Sequence, residues 1–315
     1  MTLKKEIIMK KKYRIYYLFV LGIIAMACTK DDGIKDEPSA MEIRLSADVK
    51  GNTPTKGDEQ ILADQKVGVY ISSEKDSLAM ENNLAYTADG EGRLTTNKKV
   101  TYPEYFNVDG KTGVYISAYH PHLSNLEDAI YFQVRNDQSG EGYYQSDLLF
   151  SAPKLYPRQA AAHELVFIHQ LTKITYSLKA GGDITNEDLK DAEISLIGLR
   201  DSIFFDHTTG VDTIQIQGDS IQIFTHKTDS AAIIIPQKVK QDVPFFKIEL
   251  KSGKFENANA FVYGLMNKET HFEKGKMYHY DVTVNNTGIK FTTEVADWED
   301  AWGDSGPHQG EGKQE

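Results

Sequence analysis

The feature that most constrains this chain is an alternation of period two. Between Met41 and Val49, Ile43, Leu45, Ala47 and Val49 share one parity, and Glu42, Arg44, Ser46 and Asp48 share the other. Such spacing sends successive side chains to opposite faces of a strand, whereas a helix would scatter them around its axis. The pattern returns at 67–71, 114–119, 130–134, 165–178 (one long strand or a bent pair), 194–199, 213–217, 221–224, 231–235, 245–250, 261–265, 278–284 and 289–295. Asp89-Gly90, Asp109-Gly110, Gly181-Gly182-Asp183, Gly218-Asp219 and Asn286-Thr287-Gly288 supply turns between them. Helical periodicity is confined to Leu78–Leu84 and Asn186–Leu189. The expected fold is all-β, and a dozen short strands at this spacing read as two β-sandwiches.

Pro153, Tyr156 and Pro157 interrupt the strands most strongly, which places the division between residues 41–160, an N-terminal β-sandwich, and 161–302, a C-terminal one. The segment 303–315, rich in Gly, Asp, Gln and Glu, is expected to be a disordered tail. Cys28 is the only cysteine. Neither a structural disulfide nor a thiolate metal site is available, and packed apolar cores must hold the fold.

The N-terminus has the plan of a secretory signal. Lys10, Lys11, Lys12 and Arg14 precede an uncharged run that closes on Ala25-Met26-Ala27-Cys28. That run is too short for a membrane-spanning helix. A small residue before a lone cysteine resembles the lipobox of bacterial lipoproteins. Residues 1–27 are therefore expected to be removed, from a start at Met1 or Met9, and Cys28 to be acylated. Lys30, Asp31 and Asp32 resemble the export signal that carries lipoproteins of the Bacteroidota to the outer face of the outer membrane. Residues 28–40 read as a flexible tether. Loss of 1–27 removes six basic residues and one acid, taking the formal charge from −11 to about −16. Such a surface argues against nucleic acid or anionic headgroups as partners.

A search for chemistry finds little. There is no Gly-x-Ser-x-Gly elbow, His-Glu-x-x-His helix or phosphate loop. Gly90-Glu91-Gly92 and Gly140-Glu141-Gly142 read as turn glycines, and His120-Pro121-His122 as a solvated loop. His169 shares a face with Leu165, Phe167 and Leu171 and reads as a packed histidine. Asp206-His207 and Asp281 lack a third partner for a triad. No enzyme activity, metal or cofactor is expected. Of the 17 tyrosines, Tyr70, Tyr115, Tyr119, Tyr278 and Tyr280 alternate within strands, as packing residues do. Trp298 is expected to pack at a core edge, and Trp302 has no assigned role.

Several short motifs fall in a telling order: Val67-Gly68-Val69-Tyr70, Ala118-Tyr119-His120-Pro121, Asp147–Ala152, Phe167–Lys173, Ile235-Pro236-Gln237, Gly275–Val282 and Val295-Ala296-Asp297-Trp298. Together with the lipobox they resemble the fimbrillin-like (Mfa-like) family, the pilin superfamily of Bacteroidales type V pili. The resemblance implies two tandem transthyretin-like β-sandwich domains and a role in cell adhesion, as a fimbrial subunit or tip adhesin. It also implies a lipid anchor in the outer membrane, a trypsin-like processing protease, and other fimbrial subunits as partners. In that family the first strand is cut away and replaced by a donor strand from another subunit's C-terminal region. Carried onto this sequence, the removable strand holds Ile43, Leu45, Ala47 and Val49. The cut falls after Lys56, in a loop containing Pro54 and Gly57, with Arg44 inside the strand as the rival. The candidate donor strand carries Ile289, Phe291, Thr293 and Val295, whose alternation matches that of the first strand. It reads equally as the last strand of its own sandwich, held at home through Trp298. The competing reading is a surface glycan-binding lipoprotein, which would gather exposed aromatic rings on one platform. No such cluster is visible along the sequence.

Overall fold

The alternating segments form strands, and the first of them close a barrel. The structure is a computed structural model that describes residues 41–50, 60–73, 80–103, 113–124, 130–225, 230–258 and 260–298. The early strands are β1 (Leu45–Val49), β2 (Lys66–Ser72), β3 (Glu81–Ala88), β4 (Arg93–Thr95), β5 (Gly113–His120), β6 (Ile130–Gln133), β7 (Leu149–Pro157) and β8 (His163–His169). All but β6 join in the order β1-β4-β3-β2-β5-β7-β8, which closes back on β1. Val67, Val69, Ile71, Val114, Ile116, Leu165 and Phe167 alternate along these strands and are fully buried, as the interior of a small closed barrel requires.

The later strands build two facing sheets. One runs β12 (Ala231–Ile234), β9 (Thr172–Ala180), β17 (Lys276–Asn285), β18 (Gly288–Asp297). The other runs β11 (Gly210–Phe224), β10 (Glu193–Asp206), β14 (Pro244–Leu250), β15 (Ala260–Leu265), with β6 paired to the distal half of β10. A two-stranded ribbon joins β13 (Lys238–Val239) to β16 (Thr270–His271). Between the sheets, Phe246 lies 5.3 Å from Tyr280 and 5.5 Å from Phe291, each pair near perpendicular. Edge-to-face rings of this kind add roughly 0.5–1.5 kcal/mol per pair beyond the area they bury.

The sheets cross the break that Pro153 and Pro157 suggest. β8, beyond it, completes the barrel, and β6, before it, belongs to the later sheet. β7 tolerates Pro153 because the ladder to β5 skips there: Ile116 faces Lys154 and Ala118 faces Ser151. Proline at a bulge forfeits no ladder bond. Three local readings change. Glu81–Leu84 is strand, not helix, and includes Asn83 at φ +53°. Gly140 precedes a short helix at Glu141–Gln145 instead of forming a turn with Gly142. His120 is buried at the end of β5, with Nδ1 3.0 Å from the carbonyl oxygen of Lys66, so the His-Pro-His motif begins in a packed strand and not a solvated loop. The helix at Asn186–Leu189 forms as read, with Thr185 and Asp188 making a reciprocal cap.

Candidate functional site

β1 closes the barrel. It runs parallel to β8 through five register pairs, Leu45 opposite His163 to Val49 opposite Phe167, and antiparallel to β4 at Leu45–Leu94 and Ser46–Arg93. Ile43, Leu45 and Val49 are buried to 3% exposure or less, and Ala47 is half-buried. At roughly 1.5–3 kcal/mol per buried aliphatic side chain, Leu45 and Val49 in the strand and Ile43 just before it carry most of what this segment contributes to the core. Backbone bonds extend the seam: Ile43 N–H to Val100 O at 2.9 Å, Ala47 N–H to Gly92 O at 2.7 Å, and Lys50 N–H to Phe167 O at 3.0 Å.

Arg44 points outward, but its carbonyl accepts the His163 N–H at 2.8 Å. His163 is itself buried beside the seam. Its Nε2 shares a short hydrogen bond with the Tyr102 hydroxyl, and its Nδ1 lies 3.2 Å from Gln159 Nε2. Burial holds its imidazole below the usual range, so the ring is neutral at pH 7. Burial does the same to His120 and His122, the other barrel histidines with such environments.

β18 is held differently. It pairs with β17 through ten residues in unbroken antiparallel register and forms the end of its sheet. Phe291 is buried against Phe246 and Tyr280. Ile289 is half-buried beside Gly264, Thr293 is half-buried, and Val295 is 56% exposed. The strand ends in a clasp. The Trp298 N–H bonds Gly275 O at 2.8 Å, and its ring stacks on His169 at 3.8 Å, nearly parallel. His169 Nδ1 in turn lies 2.9 Å from Asp147 Oδ1, two residues before β7. Lys173 sits above the indole at 5.6 Å. The motifs around Asp147, His169 and Trp298, far apart in sequence, thus meet at one point.

Cys28, Lys30, Asp31, Asp32, Lys56 and Trp302 lie outside the described residues. Among the described residues, no group of three or more His, Cys, Asp or Glu is placed to hold a metal ion. Nor is any described helix long and apolar enough to cross a membrane.

The barrel sealed by β1 and the two facing sheets of later strands make up an all-β architecture. Solved structures of candidate cell adhesion proteins from Bacteroides uniformis and Bacteroides ovatus share it. Each has a TM-score of 0.61 at 19% identity, the first covering 81% of this chain and 99% of its own, the second 82% and 98%. The candidate fimbrium subunit Fim1C of Bacteroides uniformis is 22% identical over 302 residues, 91% of this chain and 95% of that protein. The sequence profile described as fimbrillin-like matches residues 53–298, and the chain belongs to that family.

Proposed function

We propose that this protein is a fimbrial subunit, made as a surface lipoprotein on Cys28 and activated for assembly by removal of β1. The observation that carries the reading is the position of β1. It is the most N-terminal described strand, it fills the core with Leu45 and Val49 beside Ile43 just before it, and it is flanked by a strand on each side. Taking it away leaves β4 and β8 with facing unpaired backbone groups and an apolar slot between them. That slot accepts an incoming strand whose backbone completes the ladder and whose alternate side chains fill the vacated positions. The family match supports the fimbrial part of this reading. Arg44 is a poor cut site because the seam to His163 holds its backbone. Lys56, in the segment that follows β1, suits a trypsin-like protease better.

Limited trypsin digestion of the folded chain followed by N-terminal sequencing tests the first step, with Gly57 as the expected new terminus. Processed protein should then form ladders of high-molecular-weight species on mild-detergent gels. For the donor, β18 is the candidate, and Val295→Asp is the discriminating variant. It sits exposed at home, so folding survives, but a carboxylate in an apolar slot is costly. Ladders that persist undiminished in Val295→Asp would remove β18 from the mechanism. A cut at Arg44, or none, would remove the proposed activation step.

A further inference from the structure

The outer face of the sheet β11-β10-β14-β15 carries aromatic rings that the inner core does not use. Phe224 is 42% exposed, Phe261 43% and Tyr263 47%. Register puts them on one surface. Phe224 faces Ser195, Ser195 faces Lys247, and Lys247 faces Tyr263. In the next row Glu193 faces Glu249, which faces Phe261. Directly paired residues share a face, so the rings span three strand spacings, about 14 Å. The opposite face of the same strands holds the buried Leu196, Ile223, Phe246 and Ile248. Beyond Phe224 and Glu193 the surface dips into an open depression of about 550 Å³, bordered also by Asp191 and Lys251.

We propose that this face binds an uncharged oligosaccharide. Exposed rings gathered on one surface mark an interaction site, and what surrounds them selects the partner. Lys251 Nζ lies 2.8 Å from Glu193 and 3.5 Å from Glu249. Ser252 Oγ donates to Asp191 at 2.5 Å, and Gln222 Nε2 donates to Ser195 Oγ at 3.0 Å. Lys247 stands 4.7 Å above the Phe261 ring. A protein surface seated here would have to strip water from these charged pairs, which seldom repays the loss. A sugar leaves them satisfied, because its hydroxyls both donate to carboxylates and accept from lysine and amide groups. Its C–H faces, slightly positive, lie against the negative faces of the rings. On the face Lys247 and Lys251 balance Glu193 and Glu249, and around the depression Lys190 stands against Asp137 and Asp191, so the slight negative excess draws no polyanion.

This site lies apart from β1 and needs no processing, so the test uses the intact full chain and its outcome is separate from that of assembly. Isothermal titration with cellohexaose, xylohexaose and mannohexaose should reveal millimolar or tighter binding of at least one. Phe224→Ala, Phe261→Ala and Tyr263→Ala should each weaken it about tenfold, with no shift in the unfolding midpoint because the rings are nearly half exposed. Absence of binding to all three probes would overturn the proposal, as would undiminished binding in the triple variant. Preference for polygalacturonate over the neutral probes would also overturn it. So would self-association of the free chain that the triple variant abolishes without any sugar being bound, since the face would then belong to a second copy.

Discussion

β1 and β18 read almost identically as sequence and are held in quite different ways. Both alternate apolar and polar residues, and both sit near an end of the described chain. β1 has a strand on each side and seals Leu45 and Val49 in the barrel, with Ile43 buried just before it; among the described residues β18 has one strand neighbour, one buried ring and an exposed Val295. Alternation fixes which side chains share a face, but whether that face is covered depends on neighbours supplied from elsewhere in the chain. A strand that is to be replaced should leave behind a deep slot. A strand that is to fill another's slot should be able to leave its own place. β1 and β18 differ in the sense that the roles proposed for them would require.

The largest expected contrast is between Leu45→Asp and Val295→Asp. Leu45 is 1% exposed, and a carboxylate there should cost several kcal/mol, on the order of 3–5, and unfold the barrel. Val295→Asp should stay within about 0.5 kcal/mol of wild type. Urea denaturation of both variants measures the gap, and equal losses would mean that β18 is as tightly enclosed as β1. Next comes Phe291→Ala, expected to lose about 3 kcal/mol, the low end for a buried phenylalanine because β18 lies at a sheet edge. A loss under about 1 kcal/mol would show that the Phe246–Tyr280–Phe291 cluster closes up without it.

Trp298→Ala should act more locally. Loss of the stack on His169 should raise amide hydrogen exchange along β18 by about tenfold, near 1.4 kcal/mol, while β1 amides stay as protected as before. Equal acceleration in both strands would mean that the clasp serves the whole fold and not the end of β18. The mildest contrast is with pH. Burial depresses His120, His122 and His163 in the folded barrel, so each binds its proton less readily there than in the unfolded chain. Their stability contribution is therefore complete above the unfolded value near 6.5 and is lost as pH falls through their lower folded values. Thermal midpoints should fall between pH 7 and 5. His163→Gln should flatten that slope by removing the group at the β1 seam, and an unchanged slope would assign the acid response elsewhere.

The sequence displays its all-β character plainly because most strands keep one face dry and the other wet. β3 and β7 escape notice for physical reasons. β3 contains Asn83 in a left-handed conformation, and its side-chain oxygen accepts the Tyr119 hydroxyl at 2.8 Å. That tyrosine ring also explains Gly68, where an added Cβ would fall 2.2 Å from it. β11 reads as two strands split at Gly218-Asp219 yet is continuous. The ladder to β10 slips there, and Gly218, at φ +84°, lies so close to Asp201 that a Cβ would overlap its carboxylate. The buried parity of β1 is readable in full except at Ala47, which is only half covered. The aromatic face is not readable at all. Phe224 and Tyr263 are brought into one row only by β10 and β14 lying between them, and no local pattern announces long-range strand order.

The flanking of β1 has a mechanical side. A strand gripped along both edges and drawn lengthwise yields in shear, its hydrogen bonds failing together. A strand gripped along one edge can be peeled, one pair after another, at much lower tension. Survival under traction is governed by the rate of rupture and not by equilibrium stability. An intruding strand that took the place of β1 between β4 and β8 would inherit the shear geometry. A joint made that way in a surface appendage would resist steady pull far longer than its buried area alone suggests.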